Sequence, residues 1–444
     1  MSVKFGRLTS AEMAAAGAEL RPEAVFTAAD FAGQAPIIAA VSGGGDSLAL
    51  LLLLHDFLRR RGEAGRLRAV TIDHQLRPES AAEAVYVAGL CAQAGIAHKT
   101  LIWPGPKPAA GVEAAARAAR YARLRQEAAR QGAAFICAGH NLEDQAETYF
   151  MRLARLGGRT AAMAAAAADG EAAREADNAA AAEGASDEAD SFSAARAALR
   201  CRGLAGMARQ SLLGGSEIQL LRPLLAIHRA ALRRFLAARE VQWIEDASNY
   251  DCHYERVRLR QSMTAEQAEQ AAGKAALAGQ QRQALSEAAA ALGRALHLRA
   301  EGGGGSGAAR QFRFDLAPLQ QRQVSLTQQA APLYLLLAAA AALGGGRAYL
   351  SPDNAGLWQF LPCLAREGKG EKPQCASAMS AVLEKRRAEL SIRPERRRAG
   401  ELRQNGGAAA AAEFGGGLFA GIIPFWDAPL YALFAPYLAG AGGR

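Results

Sequence analysis

The sequence predicts an α/β chain: a parallel sheet flanked by helices, followed by a helical domain and a smaller α+β domain at the C-terminal end. Three observations carry this. From about residue 36 to 155, short apolar runs alternate with longer helix-like segments. That is the pattern of βα units building a parallel sheet with helices on both faces. Residues 217–300 lose the alternation and read as helices, with starts near Ile227 and Thr264. Beyond the glycine run at 301–307, residues 308–444 mix an Ala/Leu helix at Pro332–Leu343 with short strand-like pieces.

The elements follow in order. Pro36–Val41 is a buried-strand candidate that ends in Ser42-Gly43-Gly44-Gly45-Asp46-Ser47, and the apolar helix Asp46–Arg60 comes next. Leu67–Ile72, His98–Trp103 and Ala133–Ala138 repeat the strand signal. Glu79–Ala94, Val112–Gln131 and Leu142–Leu156 repeat the helix signal. Residues 161–199 are acidic, low in complexity and almost free of large apolar side chains, so a disordered or loosely helical insertion is expected there. The expected domains are an N-terminal extension (1–35), the sheet domain with its insertion (36–216), a helical domain (217–300), a linker (301–307) and a C-terminal domain (308–444).

The net charge of +9, carried mostly by arginine, favours an anionic partner, because the planar guanidinium binds phosphate oxygens in pairs. Aromatics make up 6% of the 444 residues, so base-stacking platforms are expected to be few. The six cysteines form no Cys-x-x-Cys pair, which argues against a disulfide framework or structural zinc and fits a reducing cytoplasm. The first residues lack a basic-then-apolar signal pattern, and the apolar runs are too short and too Ala-rich for a membrane span.

Ligands of such sheets bind at the carboxyl ends of the strands. Ser42–Ser47, Asp73-His74 and Gly139-His140 all follow predicted strands. Gly43, Gly44 and Gly45 let the backbone approach an anion at a helix N-terminus, while Ser42 and Ser47 add hydroxyls. An acid facing polyphosphate needs a divalent cation between them, so Asp46 is expected as a Mg²⁺ ligand, with a helix N-cap as the plainer alternative. Asp73 suits ribose, metal or a simple turn cap, and His74 suits phosphate. Glu113 and Arg117, four apart on a helix, share one face as substrate ligands or as an ion pair. His140, Asp144 and Glu147 line the start of the next helix and can face the same cleft, with acids that simply suit the helix dipole as the plainer alternative. Arg256, Arg258 and Arg260 alternate as an extended basic edge would. Together with the run Lys385–Arg403 they could track a nucleic-acid backbone.

Further stretches make a specific set. Thr71-Ile72-Asp73-His74-Gln75-Leu76-Arg77-Pro78-Glu79-Ser80, Glu113 to Tyr121, and Gly139-His140-Asn141-Leu142-Glu143-Asp144-Gln145-Ala146-Glu147-Thr148 precede the insertion. Gly203-Leu204-Ala205-Gly206-Met207, Arg222-Pro223-Leu224-Leu225 and Trp243-Ile244-Glu245-Asp246-Ala247-Ser248-Asn249 follow it. The loop resembles that of the PP-loop (N-type) ATP pyrophosphatases, whose fold is adenine nucleotide alpha hydrolase-like. The ordered set over 36–260 resembles the tRNA(Ile)-lysidine synthetases. Departures are Arg155-Leu156-Gly157-Gly158 for the usual Arg-Gly-Ser-Gly, Glu143 where aspartate is common, and Val257 where asparagine is common.

The resemblance implies ATP and Mg²⁺ as cofactors, and free L-lysine and the CAU-anticodon isoleucine tRNA as partners. It also allows a homodimer. ATP would adenylate O2 of the wobble cytidine, and the lysine ε-amine would attack C2 to give lysidine, AMP and pyrophosphate. Asp46, His140 and Asp144 would be catalytic, Asp144 recognising lysine or acting as base and His140 assisting at the phosphate. Ser42 to Ser47 with Asp73 and His74 would hold the nucleotide. Glu113, Arg117, Glu147, Arg256, Arg258 and Arg260 would hold substrate or tRNA, and Lys385–Arg403 the acceptor stem. The competing readings are a tRNA thiolase, disfavoured by the lack of Cys-x-x-Cys, and an inactive tRNA- or nucleotide-binding homologue.

Overall fold

The computed structural model describes residues 5–6, 20–108, 110–156, 204–213, 218–246, 251–253, 255–301, 311–321, 330–344, 355–366, 373–378, 381–394 and 433–434. The expected insertion at 161–199 and linker residues 302–307 lie outside them. The chain divides into two compact units, Met1–Arg155 with Gly206–Ala275, and Leu156–Ala205 with Ala276–Arg444.

The first unit is built on strands β2 (Ile37–Ala40), β3 (Leu67–Asp73), β4 (Ala97–Ile102), β5 (Phe135–Ala138), β6 (Gln210–Leu212) and β7 (Gln219–Leu221). They form one sheet in the order β4-β3-β2-β5-β7-β6. All neighbours are parallel except β6 and β7. Helices α1 (Gly45–Arg60), α2 (Ser80–Gln93), α3 (Val112–Gln131) and α4 (Leu142–Leu156) lie where the periodicity predicts them. Two strands of this sheet depart from expectation. β6 and β7 were not read from the sequence, and β7 lies past the boundary drawn at residue 216, within the expected helical stretch. At three residues each, they are too short to show a period of two. The rest of this unit contributes α5 (Arg229–Ala237), β8 (Trp243–Ile244), α6 (Glu255–Ser262) and the first turns of α7 (Ala265–Ala295).

Strand alternation explains the two-faced core. Ile37, Ala39 and Val41 join one cluster with Leu48, Leu50, Leu51, Leu54 and Leu58 of α1, Val87 of α2, and Leu232, Phe235 and Leu236 of α5. Ile38 points the other way, into a cluster with Val70, Ile136 and Leu220 and with Leu124 and Ala128 of α3. Each fully buried Leu or Ile contributes about 1.5–3 kcal/mol of transfer free energy, so the leucine run that reads as a helix is also what fixes α1 to the sheet. The N-terminal extension joins this core through Phe26 and Phe31, whose rings pack on Phe57. Its residues Phe5–Gly6 (β1) pair with β8. On the other face Glu127 of α3, with 4% of its side chain exposed, binds Lys99 at the β4 edge and Arg130.

The second unit has a five-stranded antiparallel sheet in the order β11-β12-β13-β10-β9. Its strands are β9 (Arg299–Glu301), β10 (Gln311–Asp315), β11 (Gln374–Ala378), β12 (Ala381–Arg386) and β13 (Glu389–Pro394). The later turns of α7 belong here, with α8 (Ala317–Gln320), α9 (Ala330–Gly344) and α10 (Ala355–Ala365). Phe312, Phe314, Leu335, Leu336, Leu361 and Ile392 form its core. The basic run is corrected at its start. Lys385 shares the inward face of β12 with Ala381 and Leu383 and is 3% exposed. Its ammonium donates to the carbonyls of Cys363 and Arg366 at the end of α10, where the helix leaves its last carbonyls unpaired. Lys385 is therefore a buried helix cap, and residues 395–403 of the run lie outside the described residues.

Candidate active site

The chain runs from β2 outward through β3 and β4, then returns to place β5 on the other side of β2. The sheet order therefore reverses between β2 and β5, and a crevice opens at the carboxyl ends of such a pair. Ala40 is in register with Ala138, so the loop after β2 and the loop after β5 meet there.

The first loop is tied to itself by Ser47. Its hydroxyl donates to the Gly44 carbonyl (2.8 Å) and accepts from the Ser42 amide (3.1 Å), with the Ser42 hydroxyl at 3.2 Å. Ser47 thus shapes the loop, and Ser42 is the exposed hydroxyl. The glycines divide in role. Gly43 has φ +88°, and a Cβ there would fall inside the Ile244 side chain and lie 3.2 Å from Val87 Cγ2. Ile244 also donates its amide to the Gly43 carbonyl. Gly43 therefore accommodates β8. Gly44 has ordinary φ −69°, ψ 157°, and a Cβ there would meet only Ser42 Oγ, at 3.6 Å. Its open face leaves the approach to the first amides of α1 clear, and those amides have no acceptor within the helix.

Asp46 stands in the first turn of α1. Its Oδ2 accepts from Asn141 Nδ2 (3.0 Å) and Arg229 Nε (3.4 Å). Its Oδ1 is buried and has no hydrogen-bond partner. Burial pushes this carboxyl up to about 6, against the pull of Arg229 and with the push of Asp144. An acceptor-only oxygen in that position fits a cation or a donor brought by a ligand.

Asn141 and Asp144 form a reciprocal cap at the start of α4. The Asn141 amide donates to Asp144 Oδ2 (3.1 Å), and the Asp144 amide donates to Asn141 Oδ1 (2.9 Å). Asp144 Oδ1 faces Arg229 (3.5 Å) and Arg260 (3.8 Å). One turn on, Glu147 is fully buried and accepts from Arg260 Nε at 2.7 Å, while its Oε2 has no hydrogen-bond partner. Burial raises its carboxyl, with Arg260 opposing. Asp46, Arg229, Asp144, Arg260 and Glu147 thus form one chain of alternating charge. Burial works against the Arg229 charge, but Asp46 and Asp144 outweigh it and raise its pKa.

His140 lies beside this chain with Nδ1 buried and unpartnered. Burial pulls its pKa down to about 4, although Asp144 pulls the other way, so the ring is neutral at pH 7. His74 is also neutral. Burial, with Arg120 next, pulls it down to about 4. Its ring lies edge-on to Trp103, and Arg120 is 3.5 Å from Nε2. The cations at this strand end are Arg120 and, over the Trp103 ring, Lys107. Asp73 Oδ1 accepts from the Gln75 amide (2.8 Å), the turn-capping alternative.

Other expected residues fall elsewhere. Glu113 is exposed, and Arg117 turns its guanidinium over the Tyr121 ring, 5.2 Å from its centroid. Arg256, Arg258 and Arg260 are on helix α6, which corrects the extended-edge expectation. Residues two apart on a helix face different ways, whereas those four apart share a face. Arg260 enters the acid cluster, Arg258 donates to the carbonyls of Cys252 and His253, and Arg256 is exposed. Asn141, Arg120 and Arg229 were not singled out from the sequence. The Asn-x-x-Asp spacing of a helix cap could have identified Asn141, but nothing local marks Arg229.

Among the described residues, no helix is long and apolar enough to cross a membrane, and no group of three or more His, Cys, Asp and Glu could hold a metal ion.

The PP-loop domain family matches residues 20–176 and 175–267, which hold every group of this cluster. The tRNA(Ile)-lysidine synthase of Mesorhizobium japonicum is 39% identical over 378 residues, covering 84% of this chain and 70% of that protein. That of Brucella anthropi is 38% identical, covering 72% and 60%. That of Brucella ovis is 42% identical, covering 56% and 46%. A solved structure of the U34-tRNA thiolase NcsA from Methanococcus maripaludis aligns over 59% of this chain and 76% of that one, with 13% identity and a TM-score of 0.40. From the family match over the site and the first relative's identity across most of both chains, the chain belongs to the tRNA(Ile)-lysidine synthase family of PP-loop proteins.

Proposed function

We propose that this chain is an ATP-dependent ligase that converts the wobble cytidine of a CAU-anticodon isoleucine tRNA to lysidine. The observation that carries the reading is the half-buried charge chain at the β2/β5 switch point, which keeps one buried, unpartnered acid oxygen on Asp46 and another on Glu147. In the first half-reaction the Gly44 face and the first amides of α1 hold the departing pyrophosphate. Asp46 Oδ1 is the group that would hold Mg²⁺, and the ion when bound would offset phosphate charge. Cytidine O2 attacks the α-phosphorus, and Arg229 and Arg120 supply the fixed cations for the charge that develops.

In the second half-reaction the lysine ε-amine attacks C2, and AMP leaves. The amine must first shed a proton. Glu147, raised by burial and with a free oxygen, is the acceptor we assign. Asp144 has both oxygens engaged, so its part is to hold Arg229 and Arg260 in place. His140, being neutral, offers hydrogen bonds and no charge. Exposed Arg256, Glu113 and Arg117 remain candidates for tRNA contact. The cytoplasm is the compartment we assign, consistent with five free cysteines among the described residues. Sedimentation would test the homodimer.

Asp46→Ala should abolish tRNA-dependent pyrophosphate release. Glu147→Gln should spare adenylation and slow lysine transfer by about 10²-fold or more. Full pyrophosphate release by Asp46→Ala, or unchanged lysine transfer by Glu147→Gln, would remove that residue from the mechanism.

A further inference from the structure

Arg229 bridges the two acids from the first position of α5, and four other contacts fix where that helix starts. His228 is the residue before the helix, yet its side chain makes no capping bond to its own helix. The cap comes from α4 instead. Glu143 accepts the Arg229 amide on Oε2 (3.0 Å) and His228 Nδ1 on Oε1 (3.1 Å). The Leu142 amide donates to the Ile227 carbonyl (3.1 Å), so the starts of α4 and α5 are stitched together. The other ring nitrogen, His228 Nε2, lies 2.9 Å from Glu269 on α7. Carboxylates only accept, so both bonds form together only when both ring nitrogens carry protons.

We propose that His228 is a positioning residue. As an imidazolium held between Glu143 and Glu269, it sets the start of α5 so that Arg229 bridges Asp46 and Asp144, and loss of one ring proton loosens that bridge. The charged groups facing the ring are Glu143 from α4, Glu269 from α7 and its own neighbour Arg229. Burial lowers the ring's pKa, but the bonds to Glu143 and Glu269 outweigh it and raise it above the ordinary 6.5. With a raised value, the clamp is fully formed below about pH 6.5 and is lost as pH rises through the folded value.

The test uses the full chain and Glu269→Gln, which alters the more exposed end of the clamp (62% exposed). The His228 ring is followed by NMR, assigned with His228→Gln, and lysine transfer is measured alongside. Removing a half-exposed pair should lower the His228 titration by about half a pH unit. The Glu269→Gln to wild-type rate ratio, in which substrate ionisation cancels, should then fall from near one at about pH 6 to about a third at about pH 9. The His228→Gln ratio should instead rise toward one with pH, because the wild type loses its own clamp. A deficit from mere structural damage would persist at high pH. Flat ratios for both variants, or a His228 titration that Glu269→Gln does not move, would overturn the proposal. The rate readout rests on the lysidine-forming reading. If the wild type transfers no lysine at any pH, that reading fails, and the same ratios are taken from ATP affinity with the same two outcomes.

Discussion

Two adjacent glycines should respond in opposite ways to the same added methyl group. At Gly43 an alanine must keep φ near +88° and place its Cβ within the Ile244 side chain, beside Val87. The left-handed backbone costs an L-residue about 1–2 kcal/mol, and overpacking adds about 1–3 kcal/mol. Gly43→Ala should therefore lose roughly 2–5 kcal/mol, a fall in Tm on the order of 5–15 °C for a unit of this size. At Gly44 the backbone is extended and the nearest atom is an ordinary contact at 3.6 Å. Gly44→Ala should stay within about 0.5 kcal/mol of the parent. Its methyl group instead occupies the face that we propose receives the pyrophosphate. Saturating ATP at ~100 times Kd stabilises a folded protein by about 2.7 kcal/mol, and Gly44→Ala should lose most of that gain. The assay is thermal unfolding of three proteins with and without ATP and Mg²⁺. An unstable Gly44→Ala without ATP, or one that ATP stabilises as fully as the parent, would refute the division of roles.

Three further outcomes follow from the same structure. Gly206 has φ +56°, and a Cβ there would sit 2.6 Å from Gln145 Oε1, the acceptor of the Met207 amide. Gly206→Ala should cost about 2–5 kcal/mol in chemical denaturation, whereas Gly33→Ala, with φ +80° but nothing within 4 Å, should cost only about 1–2 kcal/mol; equal costs would contradict this. The Arg130 hydrogen bond, against the opposing effect of burial, takes Glu127 from 4.5 down to about 2. That depression is worth roughly 3 kcal/mol, fully present above about pH 4.5 and lost as pH falls toward 2, so Glu127→Gln should flatten the acid limb of stability against pH. His74 and His140 should stay neutral from pH 8 to about 5 in histidine NMR, because burial holds both near 4. A midpoint near 6.5 for either ring would place it in water.

The sheet was legible because its central strands are buried on both faces and read as short apolar runs between turn signals. β2 to β5 and α1 to α4 therefore lie within a residue or two of their predicted ends. β6 and β7 were not legible, being three residues each and separated in sequence from β5, the strand on which the pair is laid, by the expected insertion. Charged segments misled where apolar periodicity was weak. Arg256, Arg258 and Arg260 suggested an extended edge, while buried Val257 between them belongs to a helix. Lys385 opens the run expected to track a nucleic-acid backbone, although its two-residue spacing from Leu383 and Ala381 already placed it on an inward face. In the site, the acids Asp46, Asp144 and Glu147 were readable by position, because each lies in the first turns of a helix that follows a predicted strand. Arg229 was not, because its partners lie 183 and 85 positions away and only the fold brings them together.

The most direct measurement supplies purified chain with ATP, Mg²⁺, labelled L-lysine and the CAU-anticodon isoleucine tRNA, and counts label in the tRNA against AMP formed. One lysine should enter per AMP, at the wobble cytidine, and a tRNA with uridine there should take none. Entry of a different nucleophile with lysine excluded, or lysine entry independent of that cytidine, would contradict the lysidine-forming assignment.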